Sequence, residues 1–276
     1  MDDFFPRGKL SPSQSPLFWV THKDRYLRQL LIKDIQEATG RSLIVYFSDC
    51  DHTPAMIDQK DDIAIAELLQ QHDGKPVDLL LETNGGYTDA TEKVCSILRQ
   101  TTRDLRVIVP RRAKSNGTVI ALCGSSIVMG LQSELGPIDP HIMNGIPAEF
   151  FVKAPPGSVN VIDLQFAVAA QLQTRKLASA LLRTGMMEGK EEAEIEDTVE
   201  KLASKALYHS HGSSIDADEA IKLKLNVEKL EPSNPLWNQI WLLRTMYQHD
   251  CMSHGYAKIF ESAGISTSTA RPVAQA

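Results

Sequence analysis

A serine set among small and amide residues, Lys114-Ser115-Asn116-Gly117-Thr118, follows the apolar run Val107-Ile108-Val109 and Pro110. Upstream, Leu79-Leu80-Leu81 runs into a second turn, Thr83-Asn84-Gly85-Gly86. A hydroxyl at a strand-to-helix turn, beside glycines that let a carbonyl approach the backbone, supplies the parts for acyl transfer. Ser115 is the candidate nucleophile. Gly85, Gly86 and the backbone N–H of Asn116 are candidate oxyanion donors, and Gly117 leaves room for the two turns to meet. Taken singly these residues have ordinary roles, since a serine before a helix is usually a cap and Gly-Gly usually a turn. Their combination at one carboxyl edge of a parallel sheet is what points to chemistry.

For both turns to share that edge, the chain must run as β-α-β units with right-handed crossovers. Helical periodicity through Tyr26, Leu27, Leu30, Leu31 and Ile35 predicts a helix over 22–39, ended by Gly40. A strand over Leu43 to Phe47, a helix from Ile57 to Gln71 and a strand over Val77 to Leu81 lead to the first turn. A helix from Tyr87 to Gln100 carries an apolar stripe of Ala90, Val94, Ile97 and Leu98, and a strand from Leu105 to Val109 leads to the second turn. The helix from Ser115 to Cys123 is apolar nearly all round, so it is expected in the interior, before a short strand over Ile127 to Met129. Pro147, Pro155, Pro156, Gly145 and Gly157 predict a long loop over 141–160, a lid or specificity element beside the site. Helices follow over 162–183, 191–208, 216–223 and 233–249. The organisation expected is a flexible arm (1–16), a single domain (17–262) whose 161–250 part is helical, and a flexible tail (263–276).

The ordered motifs resemble the serine dehydrogenase proteinases, a prokaryotic serine-peptidase family related to signal peptide peptidase A and to the Clp proteolytic subunit. The residues concerned are Thr83-Asn84-Gly85-Gly86, Val109-Pro110, Lys114-Ser115-Asn116-Gly117-Thr118, Ile127-Val128-Met129-Gly130, Ser133-Glu134-Leu135-Gly136-Pro137-Ile138-Asp139-Pro140 and Ser210-His211-Gly212. The resemblance covers roughly residues 25 to 250. The resemblance implies an α/β, Clp protease/crotonase-like fold with an additional helical C-terminal part. It also implies a peptidase acting through an acyl-enzyme on Ser115, a peptide or unfolded protein as substrate, a homo-oligomer, and an ATP-dependent unfoldase or adaptor as a possible partner. Three residues depart from the family pattern: Asn84 stands for Pro, Lys114 for Met and Asn116 for Ala. The Asn84 amide is expected either to support the glycine turn or to compete for the oxyanion position. Lys114 should point away from Ser115, as a solvated or substrate-facing charge.

Three residues compete as general base. His141 falls near the spacing at which Clp-type peptidases place their histidine, with Asp139 close enough to orient it. Lys153, beside Phe150, Phe151 and Val152, offers a Ser-Lys dyad like that of signal peptide peptidase A if those neighbours desolvate it. His211 matches the family motif, but its position suggests a helix cap or a subunit contact.

Composition is that of a soluble enzyme: 276 residues, 42% hydrophobic and 23% charged, enough for one large core. The net charge of −6 and dispersed Lys and Arg argue against a nucleic-acid surface. Cys50, Cys95, Cys123 and Cys251 lack metal-like spacing and are expected as free thiols. No HExxH, Walker loop or dinucleotide fingerprint implies a metal or cofactor. With no signal peptide and no apolar run of spanning length, a cytoplasmic location is expected. Two other readings stay open: a catalytically silent scaffold, and a crotonase-type acyl-CoA enzyme.

Overall fold

The computed structural model describes residues 14–52, 55–70, 72, 74–142 and 145–271. A seven-stranded sheet forms its centre, in the order β11-β10-β1-β2-β3-β5-β9. Strands β1 (Ser42–Ser48), β2 (Val77–Glu82), β3 (Leu105–Val109), β5 (Ser126–Met129) and β9 (Val227–Lys229) are parallel neighbours. β10 (Tyr256–Ser262) lies antiparallel to β1, and β11 (Ser266–Ala270) antiparallel to β10. The crossovers that keep the inner strands parallel are α3 (Asp61–Leu69), α4 (Thr88–Thr101) and α5 (Asn116–Ala121).

Both faces of the sheet are covered. Ile44, Leu79, Val107 and Ile127 pack with Ile65 of α3, Val94 of α4 and Val119 of α5. The same core takes in Leu181 of α7 (Val161–Arg183), Ile195 of α8 (Glu192–Leu202) and Ala220 of α9 (Ala217–Lys222). On the other face, Val45, Leu80, Ile108 and Val128 meet Ile32 of α2 (Lys23–Thr39) and Trp237, Ile240 and Leu243 of α10 (Pro235–His254). Burial on two sides explains why these strands read as unbroken apolar runs, not as alternating ones.

The expected β-α-β series is present, with corrections at its margins. A short helix α1 (Pro16–Thr21), capped by Ser15, precedes α2. The arm expected over 1–16 otherwise lies outside the described residues. The helix expected from Ile57 starts only at Asp61, because Ile57 bridges to Gly86 and the Asp61 carboxylate accepts the N–H of Asp58 at 2.9 Å. The stretch 141–160 is not one long loop. It forms a small antiparallel pair, β7 (His141–Ile142) with β8 (Ile146–Pro147), and a helix α6 (Ala148–Val152) packed on α7. The segment expected as a tail adds strand β11, its Ser and Thr residues pairing along β10, while 272–276 lie outside the described residues.

At the carboxyl edge of the sheet, β2 ends in Glu82, fully buried and held by Arg244 of α10 through two hydrogen bonds, Nε to Oε2 at 2.9 Å and Nη2 to Oε1 at 2.6 Å. This pair ties α10 to the residue just before the first glycine turn. Removing one partner strands the other charge in the interior, which costs about 3–5 kcal/mol, whereas replacing both with apolar groups costs far less. Arg244→Ala is therefore expected to lower unfolding stability by about that amount, and the double variant Glu82→Leu with Arg244→Met by clearly less. Urea unfolding of the two variants checks this.

Candidate active site

Beyond β3, the chain forms β4 (Arg112–Ala113), which pairs with β6 (Glu134–Leu135), and then turns sharply. Ser115 sits at that turn with φ 53° and ψ −122°, directly before α5. A positive φ at a residue with a side chain is strained, and serine nucleophiles presented on strand-to-helix elbows share this conformation. The hydroxyl does not cap α5. Among the described residues Ser115 Oγ has no hydrogen-bond partner, so it is held out toward the site. Thr118 secures the elbow instead, with its hydroxyl 2.7 Å from Ala113 O and 2.8 Å from Gly136 O and accepting the Gly136 N–H at 3.0 Å.

The first turn lies directly against this elbow. Gly85 has φ +97°, and a Cβ there would stand 2.8 Å from Ser115 Cβ and from Lys114 O. Gly117 makes room in the same way, since a Cβ on it would come within 2.6 Å of Thr83 Cγ2. The Gly85 N–H is already used, donating to Thr83 Oγ1 at 3.1 Å. Gly85 therefore contributes absence of bulk, and the N–H groups of Gly86 and Asn116 have no acceptor among the described residues. The Asn116 side chain joins the two turns, donating from Nδ2 to Gly86 O at 2.6 Å and to Thr88 Oγ1 at 3.2 Å. Asn84 Nδ2 donates to Cys50 O at 2.5 Å, so its amide supports the turn and does not compete for the oxyanion position.

A polar cluster gathers on the segments that pass this elbow. Leu135 bridges to Ile215, and the Lys114 ammonium donates to Glu134 Oε2 (2.9 Å), Leu135 O (3.2 Å) and Ser213 O (2.9 Å). Just along the chain from Gly136 and Ser213 lie Asp139 and His211. Asp139 is 3% exposed and meets three cationic or ring groups. His211 Nδ1 is 2.8 Å from Oδ1, His141 Nε2 is 3.0 Å from Oδ2, and Lys205 Nζ is 2.7 Å from Oδ2. The two imidazoles face each other with ring centroids 4.0 Å apart. Burial alone would raise the Asp139 pKa, but hydrogen bonds from His211 and Lys205 outweigh it and hold the carboxyl below its ordinary range. His141 is held below the usual imidazole value, first by burial and then by the neighbouring His211, against the pull of Asp139.

Residues 54–256 match the family described as ClpP-like SDH-type serine proteinases. The chain belongs to this family. Its fold is accordingly the Clp-protease-like α/β arrangement, a mostly parallel sheet between helices. Two Methanocaldococcus jannaschii proteins are relatives, both described as uncharacterized. MJ0137 is 28% identical over 190 residues, covering 66% of this chain and 62% of that protein. MJ1495 is 35% identical over 86 residues, covering 31% of this chain and 29% of that protein. The chain thus spans less than two thirds of the length of these relatives. Among solved structures, ClpP1 from Listeria monocytogenes is similar with a TM-score of 0.46 and 12% identity, covering 76% of this chain and 99% of that one. A mutant of the 1510-N membrane-bound stomatin-specific protease is similar with a TM-score of 0.42 and 20% identity, covering 67% and 79%. No helix among the described residues is long and apolar enough to cross a membrane.

In this SDH-type family member, Lys114 does point away from Ser115, but it is neither solvated nor substrate-facing, since its ammonium is enclosed by Glu134 and two carbonyls. Lys153 lacks the desolvated setting that a neutral amine requires. Its side chain is 69% exposed and pairs with Glu149, and Phe150 beside it is itself exposed. His211 is not a helix cap, the cap of α9 being Asp216. Sequence reading passed over Lys205, whose setting Ala203-Ser204-Lys205-Ala206 carries no spacing signal. Its partner Asp139 is distant in the chain and is found only through the fold.

Two outcomes follow from this geometry. Ser115→Gly relieves the positive φ that Ser115→Ala retains, so the glycine variant should be more stable than the alanine variant by about 1 kcal/mol in urea unfolding. Neutral His141 contributes stability that is complete above the ordinary imidazole pKa of 6.5 and is lost as pH falls through its depressed folded value. Unfolding free energy should therefore drop between about pH 7 and pH 5, and His141→Asn should flatten that drop.

Proposed function

We propose that this chain is a serine peptidase in which Ser115 is the nucleophile, His211 its general base, Asp139 the group that orients the base, and the N–H groups of Gly86 and Asn116 the oxyanion donors. The observation that carries the reading is the strained Ser115 elbow, with its hydroxyl unbonded and Gly85 packed against it. His211 is preferred to His141 on tautomer grounds. A histidine that gives its Nδ1–H to a carboxylate keeps Nε2 bare to take a serine proton, and His211 meets Asp139 through Nδ1. His141 meets the same carboxylate through Nε2.

In the proposed reaction the Ser115 Oγ–H bond breaks toward His211 Nε2 as Oγ bonds to the substrate carbonyl carbon. The developing oxyanion is held by the two N–H groups. Collapse expels the amine, which takes the proton from His211, and water then repeats the sequence to free the acid. Ionised Asp139 stabilises the imidazolium in both halves. The substrate proposed is an extended peptide or unfolded chain. A second copy of the chain is the proposed cover for Val161, Ile162, Phe166 and Leu172, large apolar residues exposed along α7.

Labelling by a fluorophosphonate probe, read at the modified residue by mass spectrometry, tests the reading. Wild type should label at Ser115, Ser115→Ala should not label, and His211→Ala should slow labelling by about 10²- to 10⁴-fold, more than His141→Ala. Absence of labelling in folded wild type would favour the silent scaffold.

A further inference from the structure

Asp139, His141 and His211 place one ligand atom each, two imidazole nitrogens and a carboxylate oxygen, within 4.8 Å of one another. We infer that this cluster is a binding site for a zinc-like divalent transition-metal ion, and that occupancy switches off the proposed serine chemistry. The second half of this inference rests on the assignment of His211 as base; the first half does not. No sequence spacing announces the site, because Asp139 and His211 are 72 positions apart.

The distances suit such an ion. Zinc bonds to imidazole nitrogen and carboxylate oxygen at roughly 2.0–2.2 Å, so adjacent ligands of a tetrahedral site stand about 3.3 Å apart. The His211 and His141 nitrogens already lie 2.8 and 3.0 Å from the Asp139 oxygens. A small outward shift of the rings opens the position. Three protein ligands leave a fourth place for water, and the two nitrogen donors favour zinc, copper or nickel over magnesium and calcium, which prefer all-oxygen sets. A metal ligand must offer a bare lone pair, which each imidazole nitrogen does once it carries no proton.

Lys205 sets the affinity. Its ammonium occupies Asp139 Oδ2 and repels a second cation, while Oδ1 faces His211. The ion therefore competes with Lys205 and with protons, and binding should weaken as the pH falls. The effect on chemistry follows from the imidazole. A metal on His211 Nδ1 forces the remaining ring proton onto Nε2, the atom that must be bare to accept the Ser115 proton.

The test is calorimetric titration of the full chain with zinc chloride, with magnesium chloride as control, and fluorophosphonate labelling in parallel. One equivalent of zinc should bind and magnesium should not. His141→Ala and His211→Ala should each weaken zinc at least a hundredfold, and Lys205→Met should tighten it by roughly tenfold or more. Bound zinc should suppress labelling of wild type, and a chelator should restore it. Lack of a saturable equivalent, or zinc binding unmoved by both histidine variants, overturns the site. Tightening in Lys205→Met cannot come from misfolding, so that variant guards against a trivial loss in the others. Zinc binding by a protein that does not label even when metal-free would sink the peptidase reading and leave the metal site standing; labelling without zinc binding would do the reverse. Zinc that binds at the site while labelling continues unchanged overturns the switch.

Discussion

The site depends on one constraint, that two turns from neighbouring strands come together backbone against backbone. Gly85 approaches Ser115 so closely that even a methyl group would lie 2.8 Å from the serine Cβ. Nothing but glycine fits, both for that contact and for a φ of +97°. Sheet register makes the encounter possible. β2 and β3 are parallel neighbours paired from Val77 with Leu105 to Leu80 with Ile108, so both emerge at the same edge. The Thr83 to Ala113 bridge then extends the pairing past the sheet proper. From there Ser115 can be aimed only by adopting a strained dihedral, and that strain is offset by the Thr118 and Asn116 hydrogen bonds around it.

Seen this way, the three departures from the family pattern become a connected set. Asn84 bonds to Cys50 O beyond β1, Asn116 to Gly86 O, and Lys114 to Glu134 and to the backbone of Leu135 and Ser213. Each donates hydrogen bonds to carbonyls in adjoining segments. The polar edge is thereby cross-linked without placing a side chain in the oxyanion position. Buried ion pairs behind it do similar work. Arg244 reaches Glu82, Arg28 donates to Glu261 at 2.7 Å, and Lys258 donates to Asp61 at 2.6 Å, so α2, α3 and α10 are each bound to the sheet by a charge-assisted contact.

These same pairs mark where sequence reading stopped. The inner strands and both glycine turns were legible because a parallel strand buried on two faces is a continuous apolar run ending in turn residues. β10 was not. Its Lys258 and Glu261 are fully buried yet polar, satisfied by Asp61 and Arg28 from helices far away in the chain, and they break the apolar pattern that would have flagged a strand. β11 was lost for a related reason: Ser266-Thr267-Ser268-Thr269 looks like a tail by composition, although threonine suits an edge strand well. The proposed nucleophile could be singled out from local sequence, since strand, serine and helix are contiguous. The proposed base could not, because choosing it requires knowing that the segments bearing Asp139 and His211 run side by side.

That last point bears on how the choice of base is made. One carboxylate with two oxygens serves two imidazoles and an ammonium, and the three partners are not equivalent. Lys205 and His141 share Oδ2, while His211 has Oδ1 to itself. A lysine held on one oxygen keeps the carboxylate ionised and immobile, which is what a neighbouring imidazole requires if it is to become an imidazolium during the reaction. His141, its ring tilted against that of His211 with centroids 4.0 Å apart, would then cover one face of the proposed base. Two histidines at this separation repel each other when both are charged, so in the proposed reaction only one of them would take the Ser115 proton. The asymmetry of the Asp139 contacts supports the proposal that this ring is His211, which has an oxygen of its own.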